Sequence, residues 1–216
     1  MCWSATADLV AGAAIASVGA ACVIRTRRAQ DLPLAALPLL LGVHQLVEAQ
    51  IWHMGGGTGA ATVTWAVIAL PVLAVWVPVG VWCAASRRAA RRRVTALVAV
   101  GALTAAFLAH GLATRPVRAE IRGHTMAYVI GLPRAELLVA GYLIATVGAL
   151  LLSGDRWLTG LGVLAGAGAL VCWLLWRLEF VSTWCALAAV CSLVLYGWVS
   201  RRPAPRSALP ADTYRS

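Results

Sequence analysis

The residues of this chain best suited to acid–base chemistry are Glu48 and His44, which lie one helical turn apart in an apolar segment, residues 32–53. On a helix they share one face with Gln45 and Trp52. An ionisable side chain within a bilayer costs several kcal/mol and therefore marks a candidate functional site. We expect this polar stripe to face the interior of a helix bundle.

The composition of the 216-residue chain indicates an integral membrane protein, because 61% of its residues are hydrophobic, 12% are charged and the mean hydropathy is +0.82. A membrane-spanning helix needs about 20 apolar residues. Seven such segments are bounded by arginine, glycine or proline: residues 5–24, 32–53, 62–85, 94–113, 136–152, 157–175 and 180–199. We predict an all-α bundle of seven transmembrane helices in one domain, residues 1–200, followed by a disordered cytoplasmic tail, residues 201–216.

The basic residues are all arginine, and their distribution predicts the orientation of the bundle. In this arrangement 13 arginines lie on one side and 5 on the other, most of the latter in the longer loop 114–135. The positive-inside rule then places the N-terminus outside and the C-terminus in the cytoplasm of a multi-pass protein of the cell membrane. The first segment has no charged region before it and no cleavage site after it, so we expect a retained helix. The scattered arginines do not indicate nucleic-acid binding.

Further polar residues fall at the outer ends of other predicted helices. They are Asp8, His110, Glu136 and Glu179. Several acids from different helices at one depth favour a cavity. Two simpler interpretations stay open: His44 and Glu48 satisfy each other and join helices, and Glu136 and Glu179 are merely interfacial.

Tryptophan is unusually frequent, with 10 Trp against 2 Phe. Trp82, Trp157 and Trp198 lie near the inner interface, where an aromatic belt explains them. Others lie toward the outer half and could wall a pocket, in which an indole face is a good partner for a cation. The candidates are Trp52, Trp173, Trp176 and Trp184, together with Tyr142.

An acid beside indole rings in a water-poor cavity suits a carbocation reaction, because the acid protonates an alkene or epoxide and the rings stabilise the charge. An apolar environment favours the protonated form of a carboxyl group in general. The chain has no D-D-x-x-D-like cluster to hold magnesium against a diphosphate. We therefore expect no metal and, since such a cyclisation is an isomerisation, no cofactor.

Two segments carry a resemblance to a known group of proteins: residues 1–7, MCWSATA, and residues 41–52, LGVHQLVEAQIW. They resemble a family of small seven-helix bacterial membrane proteins, largely of unassigned function. The alanine-rich, arginine-only composition is similar to actinobacterial members, a subset of which is associated with cyclising farnesylated indole diketopiperazines of the drimentine type. The resemblance implies an integral membrane terpene cyclase. Fungal meroterpenoid cyclases are similar in size and helix count, although no motif aligns with them.

In this hypothesis the substrate is a prenylated small molecule whose chain enters the bundle. Glu48 is the first choice of proton donor, and His44 holds that carboxyl or accepts a proton at termination. Asp8 and Glu179 are second choices for either role. The residues expected to contact substrate or stabilise the cation are Gln45, Trp52, Tyr142, Trp173, Trp176 and Trp184.

Two other functions stay open. A binding or transport protein would take up a small cation, a quinone or a lipid; Pro71 and Pro78 could break helix three as in transporters, but no second half shows a matching interruption. A metal-dependent hydrolase would use His44, Glu48, His110 and Asp8 as ligands. The last segment, however, lacks the histidine pair of known seven-helix hydrolases. The oligomeric state is not predicted.

Overall fold

The computed structural model describes residues 4–123, 125–175 and 180–202, without the side chains of residues 175 and 180–186. Within these residues the chain forms seven helices joined by short turns and one longer connection. The helices are α1 (Ala5–Arg25), α2 (Ala29–His53), α3 (Ala60–Ala84), α4 (Arg88–Thr114), α5 (Ala135–Leu151), α6 (Arg156–Leu175) and α7 (Phe180–Ser200). The prediction of a largely helical protein is confirmed, and each apolar segment forms a helix close to its predicted bounds.

Five of the described helices are long and apolar enough to cross a membrane. They are α1, α2, α3, α4 and α6. Helix α5 is apolar but has only 17 residues, and the part of α7 with described side chains, Leu187–Ser200, is also shorter than a span. These five helices have the length and composition of membrane spans, as expected of an integral membrane protein.

Prolines interrupt two of the long helices. Helix α2 begins with a 3-10 turn, Ala29–Asp31, and a short segment, Leu32–Ala35, before its main part, Leu37–His53. Helix α3 widens into a π-helical turn, Ile68–Val72, which contains Pro71. A proline ring cannot donate the usual backbone hydrogen bond, and a wider turn accommodates that loss. Pro78 stays within regular helix, so only one of the two candidate breaks in α3 alters the helix.

Helices α1 and α2 lie against each other at very short range. A Cβ atom built on Gly42 would lie 2.5 Å from the backbone nitrogen of Ala16, and one on Gly19 would lie closer still to Leu39. Small residues allow helix backbones to approach in this way. The contact brings the N-terminal turns of α1, with Asp8, to the C-terminal half of α2.

The loop predicted over residues 114–135 instead contains a β-hairpin, so the all-α prediction was wrong at this point. Strand β1 (Val117–Arg122) pairs antiparallel with β2 (Thr125–Ile130), in the register Ala119↔Tyr128. The backbone groups of Gly57, in the α2–α3 loop, exchange two hydrogen bonds of 2.9 Å with Ala119. The hairpin is therefore attached to the C-terminal end of α2 and the N-terminal end of α3.

A charged cluster joins four helix ends on the opposite side of the bundle. Arg202, after α7, lies 3.5 Å from Asp31 and 3.7 Å from Asp155, and it donates to the carbonyl oxygen of Ala84 at 3.2 Å. Asp155 also accepts from the Trp198 indole at 3.2 Å and caps the start of α6. Trp198 is 2% exposed, which corrects its prediction as a belt residue at the interface.

Candidate functional site

Glu48 is fully buried and its two carboxyl oxygens face different elements of the fold. The indole Nε1 of Trp65, on α3, donates to Oε2 at 3.2 Å. The hydroxyl of Tyr128, on β2, donates to Oε1 at 3.3 Å. Glu48 thus links α2, α3 and the hairpin, and buried polar groups paired in this way hold a structure in one arrangement.

Aromatic rings enclose the same carboxyl group. The rings of Trp65 and Tyr128 stack face to face, with centroids 3.4 Å apart and an interplanar angle of 7°. The His44 ring is also near Trp65, at 4.9 Å between centroids and with an interplanar angle of 34°. Apolar residues around Trp65, among them Ile51 and Met126, are buried as well. The carboxyl of Glu48 therefore lies in an environment from which bulk water is excluded.

Asp8 brings a second buried acid to this region from α1. Its side chain is 0% exposed, and its nearest electrostatic neighbours include the carboxyl group of Glu48 and the indole of Trp52. Two neighbouring carboxyl groups in an apolar setting repel when both are ionised. Asp8 and Glu48 thus interact electrostatically from different helices, whereas Glu136, another acid expected at this depth, is exposed.

A cavity of about 200 Å³ lies among the helices beside this cluster, with His44 in its wall. Residues from α2, α3, α4, α5, α6 and α7 form its wall, which is mainly leucine, valine and alanine. His44 and Gln45 are its polar contribution from α2, and Tyr142 and Thr146 lie on α5. The Thr146 hydroxyl donates to the Tyr142 carbonyl oxygen at 2.8 Å.

The polar stripe of α2 therefore divides between two environments. His44 and Gln45 line the cavity, whereas Glu48 is not among the described residues of its wall. His44 and Gln45 are 2% and 1% exposed, so the stripe does face the interior of the bundle. Both amide atoms of Gln45 are buried without a hydrogen-bond partner among the described residues.

The remaining predicted site residues do not form one cluster: some lie at the cavity or beside Asp8, and one faces away from the bundle. Tyr142 lines the cavity as expected, and Trp52 lies partly buried beside Asp8. Trp173 is 50% exposed and is not part of the described wall, because its position on α6 faces away from the bundle. Trp176 and Glu179 lie outside the described residues, and Trp184 lies on α7 at a position whose side chain is not described.

The candidate ligands of a metal do not assemble in the described part of the chain. His110, near the end of α4, and Glu136, at the start of α5, are both exposed, whereas His44, Glu48 and Asp8 are buried. No group of three or more His, Cys, Asp or Glu side chains among the described residues is placed to hold a metal ion. His110 therefore does not join the other three proposed ligands of a hydrolase.

Two residues of the Glu48 cluster were not selected from the sequence. Trp65 is not among the tryptophans predicted to stabilise a cation, and Tyr128 lies in the segment predicted as a loop. The signal for Tyr128 was present in residues 125–130, TMAYVI, because β-branched and aromatic residues between turn positions favour a strand. The signal for Trp65 was its position beyond the Gly55–Gly57 turn, which folds α3 back along α2.

Comparison with known proteins identifies a family without an assigned activity. The chain belongs to DUF6629, a family of unknown function, whose model matches residues 1–210. No curated protein matches the chain. No solved structure matches it either.

Proposed function

We propose that this protein is a seven-span integral membrane cyclase that protonates and cyclises the prenyl chain of an amphipathic small molecule. The observation that carries the proposal is the apolar cavity whose wall includes His44 and Gln45, on the same helix face as the buried carboxyl of Glu48. A hydrocarbon chain suits the leucine-rich wall, and an acid beside it suits a reaction that begins with protonation.

The size of the cavity supports entry of part of a substrate. The volume of about 200 Å³ is many times the space that one water molecule needs. This space suits part of the prenyl chain, with a neutral polar group of the substrate beside Gln45.

The proposed reaction neither adds nor removes atoms overall. The carboxylic acid of Glu48 transfers its proton to the distal alkene, and the electrons of the next alkene form the new carbon–carbon bond at the cation. A proton then leaves the carbon next to the final cation for a base, for which His44 is the candidate on the wall. Return of that proton to Glu48 completes the cycle. The product is an isomer of the substrate.

Substrate binding must bring the Glu48 carboxyl to the cavity for this reaction. In the structure the carboxyl accepts from Trp65 and Tyr128 instead. The donor role therefore requires a turn of the Glu48 side chain away from Tyr128 and past His44. Tyr142, an aromatic residue of the described wall, is the candidate for stabilising the cation.

The proposed topology has all seven helices crossing the membrane, with the N-terminus outside. The arginines that support it lie beside the charged cluster of Arg202, whereas the hairpin lies at the opposite end of the bundle. Reporters fused to either terminus test this orientation. A C-terminal fusion should be active only with a reporter that works in the cytoplasm.

The test of activity is to incubate membranes that contain the protein with farnesylated cyclic dipeptides and to compare products by chromatography and NMR. Mass alone does not reveal an isomerisation. We expect a new isomer with the wild type and none with Glu48→Gln. Glu136→Gln, which makes the same change at an exposed glutamate, is the matched control and should keep the activity. Unchanged substrate across a broad prenylated panel would contradict the proposal.

A binding or transport protein is the second candidate, and one observation favours it. Both oxygens of Glu48 accept hydrogen bonds and the residue is not part of the described wall, so the cavity can hold a ligand without chemistry at this acid. The two functions differ in the recovered ligand. A carrier returns it unchanged, whereas a cyclase changes its connectivity.

A further inference from the structure

The most unusual feature of the cavity wall is the side-chain amide of Gln45. The residue is 1% exposed and lines the cavity, and both its Nε2 and its Oε1 atoms are buried without a hydrogen-bond partner among the described residues. A buried amide normally has partners, since leaving both a donor and an acceptor unpaired costs free energy. A rotation of the Gln45 side chain toward the cavity, whose wall the residue forms, would let a group that enters the cavity meet both atoms.

The surroundings restrict the chemistry of that partner. No Asp, Glu, Lys or Arg belongs to the described wall, so a charged ligand group would be buried there without a counter-ion, which is unfavourable. The Thr146 hydroxyl donates within its own helix. Most of the wall is aliphatic, and this part matches a hydrocarbon.

We infer that Gln45 is the recognition residue for a neutral, largely apolar ligand that carries one hydroxyl or amide group within the cavity. Such a group both donates and accepts, and so it satisfies the two atoms of the Gln45 amide together, whereas an ether or epoxide only accepts and a hydrocarbon does neither. The inference deepens the proposed function, because it rests on the same cavity binding an apolar chain. It assigns Gln45 to ligand selection and not to proton transfer.

The test measures binding of eight-carbon probes, without turnover, to protein in lipid nanodiscs. Tritiated 1-octanol is equilibrated with the wild type and with Gln45→Leu, and unlabelled octanamide and octane serve as competitors. We expect 1-octanol and octanamide to bind the wild type roughly tenfold more tightly than octane, and this preference to disappear in Gln45→Leu. Both proteins are measured in the same nanodiscs, so the partition of each probe into lipid is equal and cancels when the wild type is compared with Gln45→Leu.

The stability of the ligand-free protein provides a second measurement. Gln45→Leu removes an unpaired amide and keeps a side chain of similar size, so it should raise the melting temperature when no ligand is present. Gln50→Leu, on the same helix at an exposed position, is the control and should leave probe selectivity unchanged. A lower melting temperature in Gln45→Leu would mean that the amide has a structural partner, which would overturn the inference.

The outcomes separate this inference from the cyclase proposal. Equal binding of octane and 1-octanol to the wild type, as expected if only water meets the amide, would overturn the inference and leave the cyclase assay to be decided on its own. A preference for 1-octanol together with the absence of any cyclised product would support the inference and count against the cyclase. Retention of the preference in Gln45→Leu would also overturn it.

Discussion

The hydroxyl of Tyr128 donates a hydrogen bond of 3.3 Å to the carboxyl group of Glu48, from a position 80 residues further along the chain. This contact joins the β-hairpin to the polar stripe of α2. Because the Trp65 indole donates to the other oxygen, the carboxyl is fixed by one bond from a helix and one from the hairpin. The position of the hairpin and the conformation of Glu48 are therefore coupled.

Removal of the Tyr128 hydroxyl tests this coupling. Tyr128→Phe keeps the ring that stacks on Trp65 but removes one donor to a buried carboxyl, which should lower the free energy of unfolding by roughly 1–3 kcal/mol. Thermal unfolding of the purified protein in detergent measures the change. Tyr196→Phe is the control, because the Tyr196 ring lies near Arg25 and its hydroxyl has no hydrogen bond within the described residues. An equal effect of the two substitutions would show that the bond to Glu48 is not significant.

The attachment of the hairpin to the α2–α3 loop gives a second prediction. Gly56 has φ +83°, and a Cβ atom there would lie 2.6 Å from the carbonyl oxygen of Ala119. Gly56→Ala should therefore destabilise the protein by about 2–4 kcal/mol, the sum of left-handed strain and a steric clash. Protease cleavage within the hairpin should become faster, and its rate is the direct measurement.

Gly55→Ala is the matched control for this prediction. Gly55 has φ +74°, but no atom lies within 4 Å of a Cβ placed there. Its substitution should cost only the conformational strain, about 1–2 kcal/mol. If Gly55→Ala proved as harmful as Gly56→Ala, the contact with Ala119 would not be what holds the hairpin.

The short separation of α1 and α2 gives a third prediction. Gly42→Ala places a methyl group 2.5 Å from the backbone of Ala16, so the helices must move apart at a loss of about 1–3 kcal/mol. Gly160→Ala, on α6, meets no atom within 4 Å and should be neutral or stabilising by up to about 1 kcal/mol. Thermal unfolding of both variants measures the two effects. A Gly42→Ala protein as stable as the wild type would contradict the close packing of α1 and α2.

The sequence was sufficient for the features that depend on hydropathy. Seven apolar segments became seven helices because the pattern is continuous over each span and arginines mark its ends. The burial of His44, Gln45 and Glu48 followed from the cost of polar groups in lipid, which leaves an inward orientation as the favourable one.

The features that depend on long-range contacts could not be predicted in this way. Tyr128 meets Glu48 only because the hairpin folds over the bundle, and a six-residue strand between arginines gives a weak local signal. The same limit applied to Asp31, whose partner Arg202 lies at the far end of the chain and was predicted to belong to the tail. Neither partner is close in sequence, and hydropathy carries no information about which helix ends meet.

The Arg202 cluster gives the last prediction. Asp31 is 2% exposed, and Arg202 is its nearer basic partner, at 3.5 Å against 3.9 Å for Arg28. Arg202→Gln leaves this carboxylate poorly compensated, so the free energy of unfolding should fall by roughly 3–5 kcal/mol. Arg201→Gln is the control at the adjacent position, where the exposed guanidinium lies over the Trp157 ring at 4.3 Å, and it should have little effect.

A second substitution shows whether the uncompensated charge of Asp31 causes the loss of stability in Arg202→Gln. Asp31→Asn in the Arg202→Gln background removes the uncompensated carboxylate, so it should recover a large part of the lost stability, measured as the melting temperature of the double variant against each single one. If the double variant stays as unstable as Arg202→Gln, the lost stability comes from the other contacts of Arg202. These are its hydrogen bond to the Ala84 carbonyl oxygen and its position over the Trp198 ring at 4.5 Å. The double-variant comparison therefore separates an electrostatic link between α2 and α7 from simple packing at the end of the bundle opposite the hairpin.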